Sequence, residues 1–303
     1  MTYYRTHRPQ RFADLLGQEA ATATLQQALI KERVGHAYLL TGPRGTGKTS
    51  AARLFSRALC CLAPVRGTNS FEPCNTCEAC LAILHDQAPD ITEIDAASNR
   101  GIEDIRSLRE QVNYPPLHLQ RKVYIIDEVH MLTIEAFNAL LKTLEEPPEY
   151  CLFILATTEL QKVPSTIRSR CQLLRFHRGS LEDIAKKLDH IAQVEKLPIE
   201  KGVTLVLAKH AEGGYRDAET ILESLSTQYS PLTLADTRTA LGLLDSELSE
   251  KLLQALKKQD RTTTVDVLKS LGQINPEPLL QQLITSIRGE IYQNGPSLPF
   301  LTY

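Results

Sequence analysis

Hydrophobic and polar positions alternate along the first 180 residues between short apolar runs and longer stretches with helical spacing. The apolar runs predict five buried strands, at residues 36–41, 90–95, 123–127, 151–156 and 173–176. Helices are predicted between them, after residue 47 and at 102–112 and 133–144. Alternating strands and helices indicate a parallel sheet covered on both faces, with ligands at the carboxyl ends of the strands.

The strand signal disappears after residue 180, and only helical patterns follow. The predicted helices are 181–194, 201–212, 216–229, a short 232–241, 247–258, 261–271 and 278–292. We therefore expect a sheet domain over 1–178, a small helical domain over 179–242 and a further helical region over 243–303.

The turn after the first predicted strand carries the most specific motif of the chain. It reads Gly42, Pro43, Arg44, Gly45, Thr46, Gly47, Lys48, Thr49, Ser50. Glycines let the backbone curl so that its N–H groups point at phosphate oxygens, and a helix that begins here adds its positive end. Lys48 is placed to reach the β- and γ-phosphates, and Thr49 to coordinate Mg²⁺. A ligand-free glycine turn has no use for Lys48 and Thr49 at this spacing, so the motif predicts a nucleoside triphosphate site.

The third predicted strand ends in two carboxylates that complete such a site. Asp127 is expected to bind the hydrated Mg²⁺, and Glu128 to polarise the attacking water. Acid pairs at strand ends are more often solvated or cap a helix, but the phosphate loop upstream favours the catalytic interpretation. Thr157, at the tip of the fourth strand, is a candidate to hydrogen-bond the same water or the γ-phosphate.

Four cysteines predict a structural zinc site. Cys61, Cys74, Cys77 and Cys80 place one thiolate before a loop and three at two-residue intervals, so that four sulfurs close a tetrahedral site. Cys60 competes with Cys61 as the first ligand, and we favour Cys61. An iron–sulfur cluster is the rival interpretation of the four cysteines. The module is expected at about residues 61–80.

Composition narrows the class of protein. The chain has 303 residues, 42% hydrophobic and 23% charged, with a formal net charge of −2. These values describe a globular protein whose contacts with nucleic acid are local or made by an assembly. No apolar run approaches the length of a membrane span and no signal peptide is evident, so we expect a cytoplasmic protein. Seven cysteines in that compartment favour metal binding or burial over disulfides.

Together, these motifs resemble a known family. Besides the phosphate loop and the four cysteines, the resemblance covers 95–98 (Asp-Ala-Ala-Ser), 126–131 (Ile-Asp-Glu-Val-His-Met), 140–148 (Leu-Leu-Lys-Thr-Leu-Glu-Glu-Pro-Pro), 169–171 (Ser-Arg-Cys) and 214–218 (Gly-Tyr-Arg-Asp-Ala). The chain is similar to the gamma/tau subunits of bacterial DNA polymerase III clamp loaders, which are AAA+ ATPases. The resemblance extends over about residues 8–244.

The resemblance implies a fold, cofactors and partners. The fold would be a phosphate-loop AAA+ sheet with a zinc insertion, a helical lid and an oligomerisation collar, here expected to be incomplete. The cofactors would be ATP, Mg²⁺ and Zn²⁺, and the partners other clamp-loader subunits, the sliding clamp and, as an assembly, primer-template DNA.

The resemblance also assigns residues. It makes Arg170 the finger that enters the neighbouring subunit's ATP site and Arg216 the lid arginine that touches the γ-phosphate of its own site. Arg8 and Pro9 would lie near the adenine pocket, although Thr6 and His7 depart from the usual basic–aromatic pair of the family.

Three other functions compete with this interpretation. Another AAA+ remodelling or branch-migration motor would share the ATP residues, but it does not explain the four cysteines together with Arg170. A non-hydrolysing clamp-loader stator would normally lack the phosphate loop, and a zinc-finger nucleic-acid module would need a basic helix after the cysteines. The chain ends without a long proline-rich extension, which fits a short natural form, a shortened piece or a reduced paralogue alike.

Overall fold

The computed structural model describes residues 2–243 and 246–270, together with positions 280, 283, 284, 287 and 288. The predicted helix 278–292 therefore lies almost entirely outside the described residues. The described chain divides into two compact units. The first consists of Met1–Ile191 and Ala208–Ile221, and the second of Ala192–Leu207 and the described residues from Leu222 onward.

The chain alternates helices and strands up to residue 175, and the described part after it is helical. The strands are β1 (Ala37–Thr41), β2 (Val65–Arg66), β3 (Phe71–Glu72), β4 (Ile91–Asp95), β5 (Lys122–Asp127), β6 (Cys151–Thr157) and β7 (Gln172–Arg175). The helices of the first 175 residues are α1 (Tyr3–Thr6), α2 (Glu19–Ile30), α3 (Lys48–Cys60), α4 (Glu78–Leu84), α5 (Ile102–Val112), α6 (Ile134–Glu145) and α7 (Ser165–Arg168). The later helices are α8 (Leu181–Val194), α9 (Val203–His210), α10 (Tyr215–Gln228), α11 (Leu234–Ala240), α12 (Ser246–Lys257) and α13 (Arg261–Ser270).

Five strands form one parallel sheet in the order β4-β5-β6-β1-β7. The prediction of five parallel strands is confirmed, with bounds that differ by at most one residue. Because β1 lies between β6 and β7, Thr41 is in register with both Thr157 and Arg175. The carboxyl ends of these strands therefore meet at one edge, where the phosphate loop begins.

The sheet buries both of its faces, as its apolar strands require. Successive residues of β5 point to opposite faces, so that Ile125 joins one buried cluster and Ile126 the other. The first cluster contains residues of α2 and α3, and the second contains residues of α5 and α6. These two layers fix the strand ends on which the candidate site depends.

The predicted elements do not include helices α1, α2, α4 and α7 or the hairpin of β2 and β3. Helix α2 is rich in alanine and threonine and buries only Ala21, Leu25 and Leu29, so its helical periodicity is weak in the sequence. The hairpin of β2 and β3 lies inside the cysteine insertion, and each of its strands has two residues. Strands this short fall below the length at which an alternating pattern can be recognised.

The second unit contains only helices and one isolated bridge, between Ile199 and Leu232, among its described residues. The predicted short helix 232–241 is confirmed as α11, and Thr233 caps it by accepting a hydrogen bond from the Asp236 N–H. Leu252, Leu253, Val267 and Leu283 form a small buried cluster. Across the part of the chain that the structure describes, every helix is too short or too polar to cross a membrane.

Candidate nucleotide and metal sites

The phosphate loop connects β1 to the first turn of α3. Gly47 precedes the helix with φ of +93°, and Gly42 opens the loop with φ of +154°. A Cβ on Gly42 would lie 2.3 Å from the carbonyl oxygen of Phe176, so only glycine fits there. Within the loop, Thr46 is buried and donates to the Pro43 carbonyl, whereas Arg44 is exposed. The loop is thus folded tightly before any ligand is considered.

The Lys48 side chain is hydrogen-bonded to the backbone of this loop. Its ammonium donates to the carbonyl oxygens of Gly42 and Pro43 at 2.9 and 2.8 Å, and its side chain is buried. Burial lowers the pKa of the Lys48 ammonium, while the carboxylates of Glu128 and Asp127 act in the opposite direction. The site therefore presents a partly desolvated cation to an anionic ligand.

The two predicted Mg²⁺ ligands lie next to each other. The Thr49 hydroxyl, in the first turn of α3, donates to Asp127 Oδ2 at 2.7 Å, across 78 residues of sequence. The other oxygen of Asp127 accepts the Glu128 N–H at 2.9 Å. A hydroxyl and a carboxylate in contact are hard oxygen donors, which Mg²⁺ prefers. These residues therefore fit a magnesium ion bound to a triphosphate.

Glu128 is fixed beside the end of β6. Its backbone is left-handed, with φ of +47°, and its Oε2 accepts hydrogen bonds from the Thr158 N–H at 3.3 Å and the Thr158 hydroxyl at 3.1 Å. Thr157 is fully buried, and its hydroxyl accepts the Glu159 N–H at 3.0 Å. The structure thus brings Glu128 and Thr157 to the same edge as the phosphate loop.

His130 is a residue of this site to which the sequence analysis assigns no role. It lies in the short 3₁₀ turn Val129–Met131, and its ring contacts both Thr157 and Glu128. The signals in the sequence are its position three residues after Asp127 and its place in the motif 126–131. Many buried histidines follow strands in this way without a catalytic function, so spacing alone does not distinguish them.

Arg216 lies close to the phosphate loop. The Tyr215 N–H donates to the Gly45 carbonyl at 3.0 Å, and a Cβ on Gly45 would be 3.6 Å from Cβ of Arg216. The exposed guanidinium of Arg216 stacks over the ring of Tyr4, 4.4 Å from its centroid. The start of α10 therefore borders the loop on the side of the N-terminus.

Arg8 and Pro9 are half-buried. Burial lowers the pKa of the Arg8 guanidinium, and the carboxylates of Glu93 and Asp86 oppose this effect. Buried Glu219 interacts with the charges of Arg8 and Lys187.

Arg170 has a different environment. Its guanidinium donates to Glu145 Oε1 at 2.6 Å and to the Thr166 carbonyl at 2.7 Å. Both contacts lie at the ends of α6 and α7 rather than in the phosphate loop. Arg170 is one-third exposed, so its charge is available at the surface.

The four predicted cysteines converge on one point. The sulfur of Cys61 lies 3.5 Å from that of Cys74 and 4.0 Å from that of Cys77, and the Cys74 and Cys80 sulfurs are 3.9 Å apart. A zinc ion bound at about 2.3 Å to each sulfur requires sulfur separations of roughly 3.8 Å, so the cluster fits tetrahedral zinc. Cys60 is outside it, because its buried thiol faces the Arg121 carbonyl.

Backbone donors prepare two of the sulfurs for a metal. The Cys74 N–H donates to the sulfur of Cys61 at 3.3 Å, and the Cys77 N–H to that of Cys74 at 3.2 Å. A hydrogen bond from the Thr76 backbone lowers the pKa of the Cys74 thiol to about 6. Thiolates are the form that binds zinc, so this arrangement suits a metal ligand.

The cysteine insertion also holds residues 8–13, which we call the N-terminal segment. Glu72 accepts the Phe12 N–H at 2.7 Å and the Ala13 N–H at 3.2 Å. The Gln10 carbonyl accepts hydrogen bonds from the Asn75 amide at 3.1 Å and from the Arg57 guanidinium at 2.9 Å. These contacts connect the metal cluster to the chain that carries Arg8 and Pro9.

Comparison with known proteins identifies the family of the chain. Residues 17–180 match the family described as "DNA polymerase III, delta subunit". The chain is 45% identical over 300 residues to DNA polymerase III subunit tau of Bacillus subtilis, covering 97% of this chain and 52% of the relative. It is 43% identical to the tau subunit of Escherichia coli, covering 83% of this chain and 39% of the relative. It is 38% identical to the gamma subunit of Buchnera aphidicola, covering 90% and 75%.

The chain thus spans about half the length, or less, of the tau relatives. Among solved structures, the Thermotoga maritima RuvB Holliday junction branch migration motor superposes with a TM-score of 0.56 over 91% of this chain and 90% of that one. Its sequence identity is 20%, so this likeness concerns the fold alone. It agrees with the predicted phosphate-loop AAA+ fold.

Proposed function

The chain belongs to the family of DNA polymerase III gamma/tau subunits, and we propose that it binds and hydrolyses ATP as a clamp-loader subunit. With the other subunits of the loader, it uses ATP to open the sliding clamp and place it on primer-template DNA. The observation that carries the proposal is the 2.7 Å contact of Thr49 with Asp127, which joins the phosphate loop to the strand that bears the acids.

Each residue of the site has a role in this reaction. When ATP binds, the Lys48 ammonium gives up its hydrogen bonds to the carbonyls of Gly42 and Pro43 and donates instead to β- and γ-phosphate oxygens. Thr49 and Asp127 hold Mg²⁺, which neutralises charge on the phosphates. Glu128 polarises the attacking water, and Thr157 orients the water or the γ-phosphate.

Two arginines complete the charge stabilisation. Arg216 borders the phosphate loop and is suited to touch the γ-phosphate of its own subunit. Arg170 acts on the ATP of the neighbouring subunit, and its exposure beside Glu145 is compatible with a surface role. A guanidinium that arrives from another subunit makes hydrolysis depend on assembly.

The cysteine cluster holds one structural zinc ion, since four thiolates leave no open coordination position. None of the seven cysteines forms a disulfide, which suits a reducing compartment such as the cytoplasm. For the domains, we propose a nucleotide-binding domain over 1–178, a lid over 179–242 and a collar over 243–303.

The test is reconstitution with the partner subunits, clamp and primed DNA. We expect slow ATP hydrolysis by the isolated chain and fast hydrolysis together with clamp loading by the assembly. Arg170→Ala should preserve ATP binding and lower the stimulated rate by as much as about 10³-fold, the lower end of the range for arginine fingers.

Arg168→Ala is the matched control, because Arg168 is an exposed arginine at the end of α7. It should retain the stimulated rate. Full stimulated hydrolysis by the Arg170 variant would refute the role in trans, and an assembly that hydrolyses no ATP would refute the proposed function itself.

A further inference from the structure

We propose that His130 is a positioning residue that sets the orientation of Glu128 and of the Thr157 hydroxyl for hydrolysis. The proposal rests on the proposed ATPase function and names a residue beyond those assigned above. The His130 side chain is only 7% exposed. It is held between the ends of β5 and β6, where the carboxylate and the hydroxyl of the site meet.

The two ring nitrogens face different groups. Nδ1 lies 3.0 Å from the Thr157 hydroxyl oxygen and 3.3 Å from Glu128 Oε2. Nε2 lies 3.4 Å from Glu159 Oε1, on the opposite side of the ring. Nδ1 therefore bridges two residues of the reaction site, whereas Nε2 contacts only a residue outside it.

The carboxylate of Glu128 requires a proton on Nδ1, whether or not Nε2 carries one toward Glu159. A lone pair on Nδ1 would face the lone pairs of Glu128 Oε2 with no proton between them, which is unfavourable. A proton on Nδ1 removes this repulsion and provides a donor for both Oε2 and the Thr157 hydroxyl oxygen. The geometry therefore favours the ring form with a protonated Nδ1.

A proton on Nδ1 leaves the hydroxyl proton of Thr157 available to a ligand. The Thr157 oxygen has two lone pairs and one proton, and one lone pair already accepts the Glu159 N–H. When Nδ1 donates to the second lone pair, the hydroxyl proton has no acceptor in this network and is free to reach a phosphate oxygen or the water. If Nδ1 accepted instead, that proton would be consumed by the ring.

The same contact makes the two oxygens of the Glu128 carboxylate different in their hydrogen bonding. Among the described residues, the hydrogen bonds to its carboxylate come from Thr158 and all end on Oε2, which is also the oxygen near Nδ1. Oε1 accepts none of them and is the oxygen that can polarise a water. His130 thus helps to anchor one oxygen so that the other is directed consistently.

Two amide substitutions separate this role from mere packing. In His130→Asn, the side-chain amide nitrogen takes about the position of Nδ1 and keeps a donor for Thr157 and Glu128. In His130→Gln, the amide reaches the position of Nε2 and loses that donor. Both residues are polar, and glutamine is closer to histidine in length, so a purely structural role would favour glutamine.

The assay is steady-state ATP hydrolysis by the reconstituted complex, with ATP affinity and thermal stability measured on each variant chain. We expect His130→Asn to retain kcat within about threefold and His130→Gln to lose about 10- to 100-fold, because small misplacements of reacting groups cost up to about 100-fold. ATP affinity should change little in either variant. His85→Leu, at an exposed histidine, should behave as the wild type.

Each other outcome has a distinct meaning. Equal kcat for the two amides, a higher kcat for His130→Gln, or a loss of ATP affinity as large as the loss of kcat overturns the proposal for His130. If one variant does not fold, the other is compared with the wild type alone. A loss of more than about threefold for His130→Asn, or of less than about 10-fold for His130→Gln, then overturns the proposal. A wild-type complex without ATP hydrolysis overturns the proposed function as well.

Discussion

Removing Cys77 from the proposed zinc site should loosen the N-terminal segment, which lies more than 60 residues earlier in the chain. Cys77→Ser takes one sulfur from the cluster, and zinc binding is coupled to the local folding of its ligands. The insertion that is then released carries Glu72, which accepts the N–H groups of Phe12 and Ala13. We therefore expect both amides to lose their acceptor.

The size of the effect follows from these two bonds. A hydrogen bond to a charged group contributes about 1.5–3 kcal/mol, and the exposed Ala13 at 3.2 Å belongs at or below the lower limit. The pair therefore stabilises the segment by about 2–4 kcal/mol. Since about 1.4 kcal/mol corresponds to a factor of ten, amide hydrogen exchange should accelerate about 30- to 1,000-fold.

The assay is hydrogen exchange by mass spectrometry on peptides that cover residues 8–16, with metal analysis of the same samples. Cys171→Ser is the control, because Cys171 lies outside the cluster. Glu72→Gln should keep zinc and give intermediate exchange. Unchanged exchange in a Cys77→Ser protein that has lost its zinc would refute the reasoning, and full zinc retention would refute the assignment of the ligands.

Three further predictions concern single side chains. Lys48→Ala should abolish ATP binding, measured by equilibrium dialysis, because it removes the buried cation of the loop. Asp90→Asn should lower the free energy of unfolding by about 2 kcal/mol in urea, since Asp90 accepts three backbone N–H groups, and exposed Asp86→Asn should not. Burial raises the pKa of Glu219 from 4.5 to about 7, so its native form binds the proton more tightly and stability falls as pH rises across that interval. Glu219→Gln should remove this slope and add about 3 kcal/mol at about pH 8.

The sequence was most informative where chemistry depends on neighbouring residues. The phosphate loop and the two acids at the end of β5 follow from local spacing, and both lie where the predicted strand ends put them. His130 was beyond such reasoning, because its meaning depends on Thr157 and Glu159, which reach it only through the pairing of β5 with β6.

The same limit applies to the N-terminal segment. Phe12 and Glu72 are separated by 60 residues, and no pattern in either stretch indicates the contact between them. A sequence motif specifies which atoms a site needs, whereas the tertiary fold decides which remote groups hold those atoms.

The Arg57 guanidinium, which donates to the Gln10 carbonyl, also affects the electrostatics of the cysteine cluster. Arg57 lies in the last turn of α3, is only 4% exposed and interacts with the charges of Cys80 and Cys61. Four thiolates around one Zn²⁺ carry a net charge of about −2, which the negative end of a helix would repel. With zinc bound, Arg57 would supply a counter-charge to this anion at the C-terminal end of α3. Loss of the metal would therefore remove the anionic centre that faces this buried guanidinium, and leave it with the Gln10 carbonyl as its acceptor.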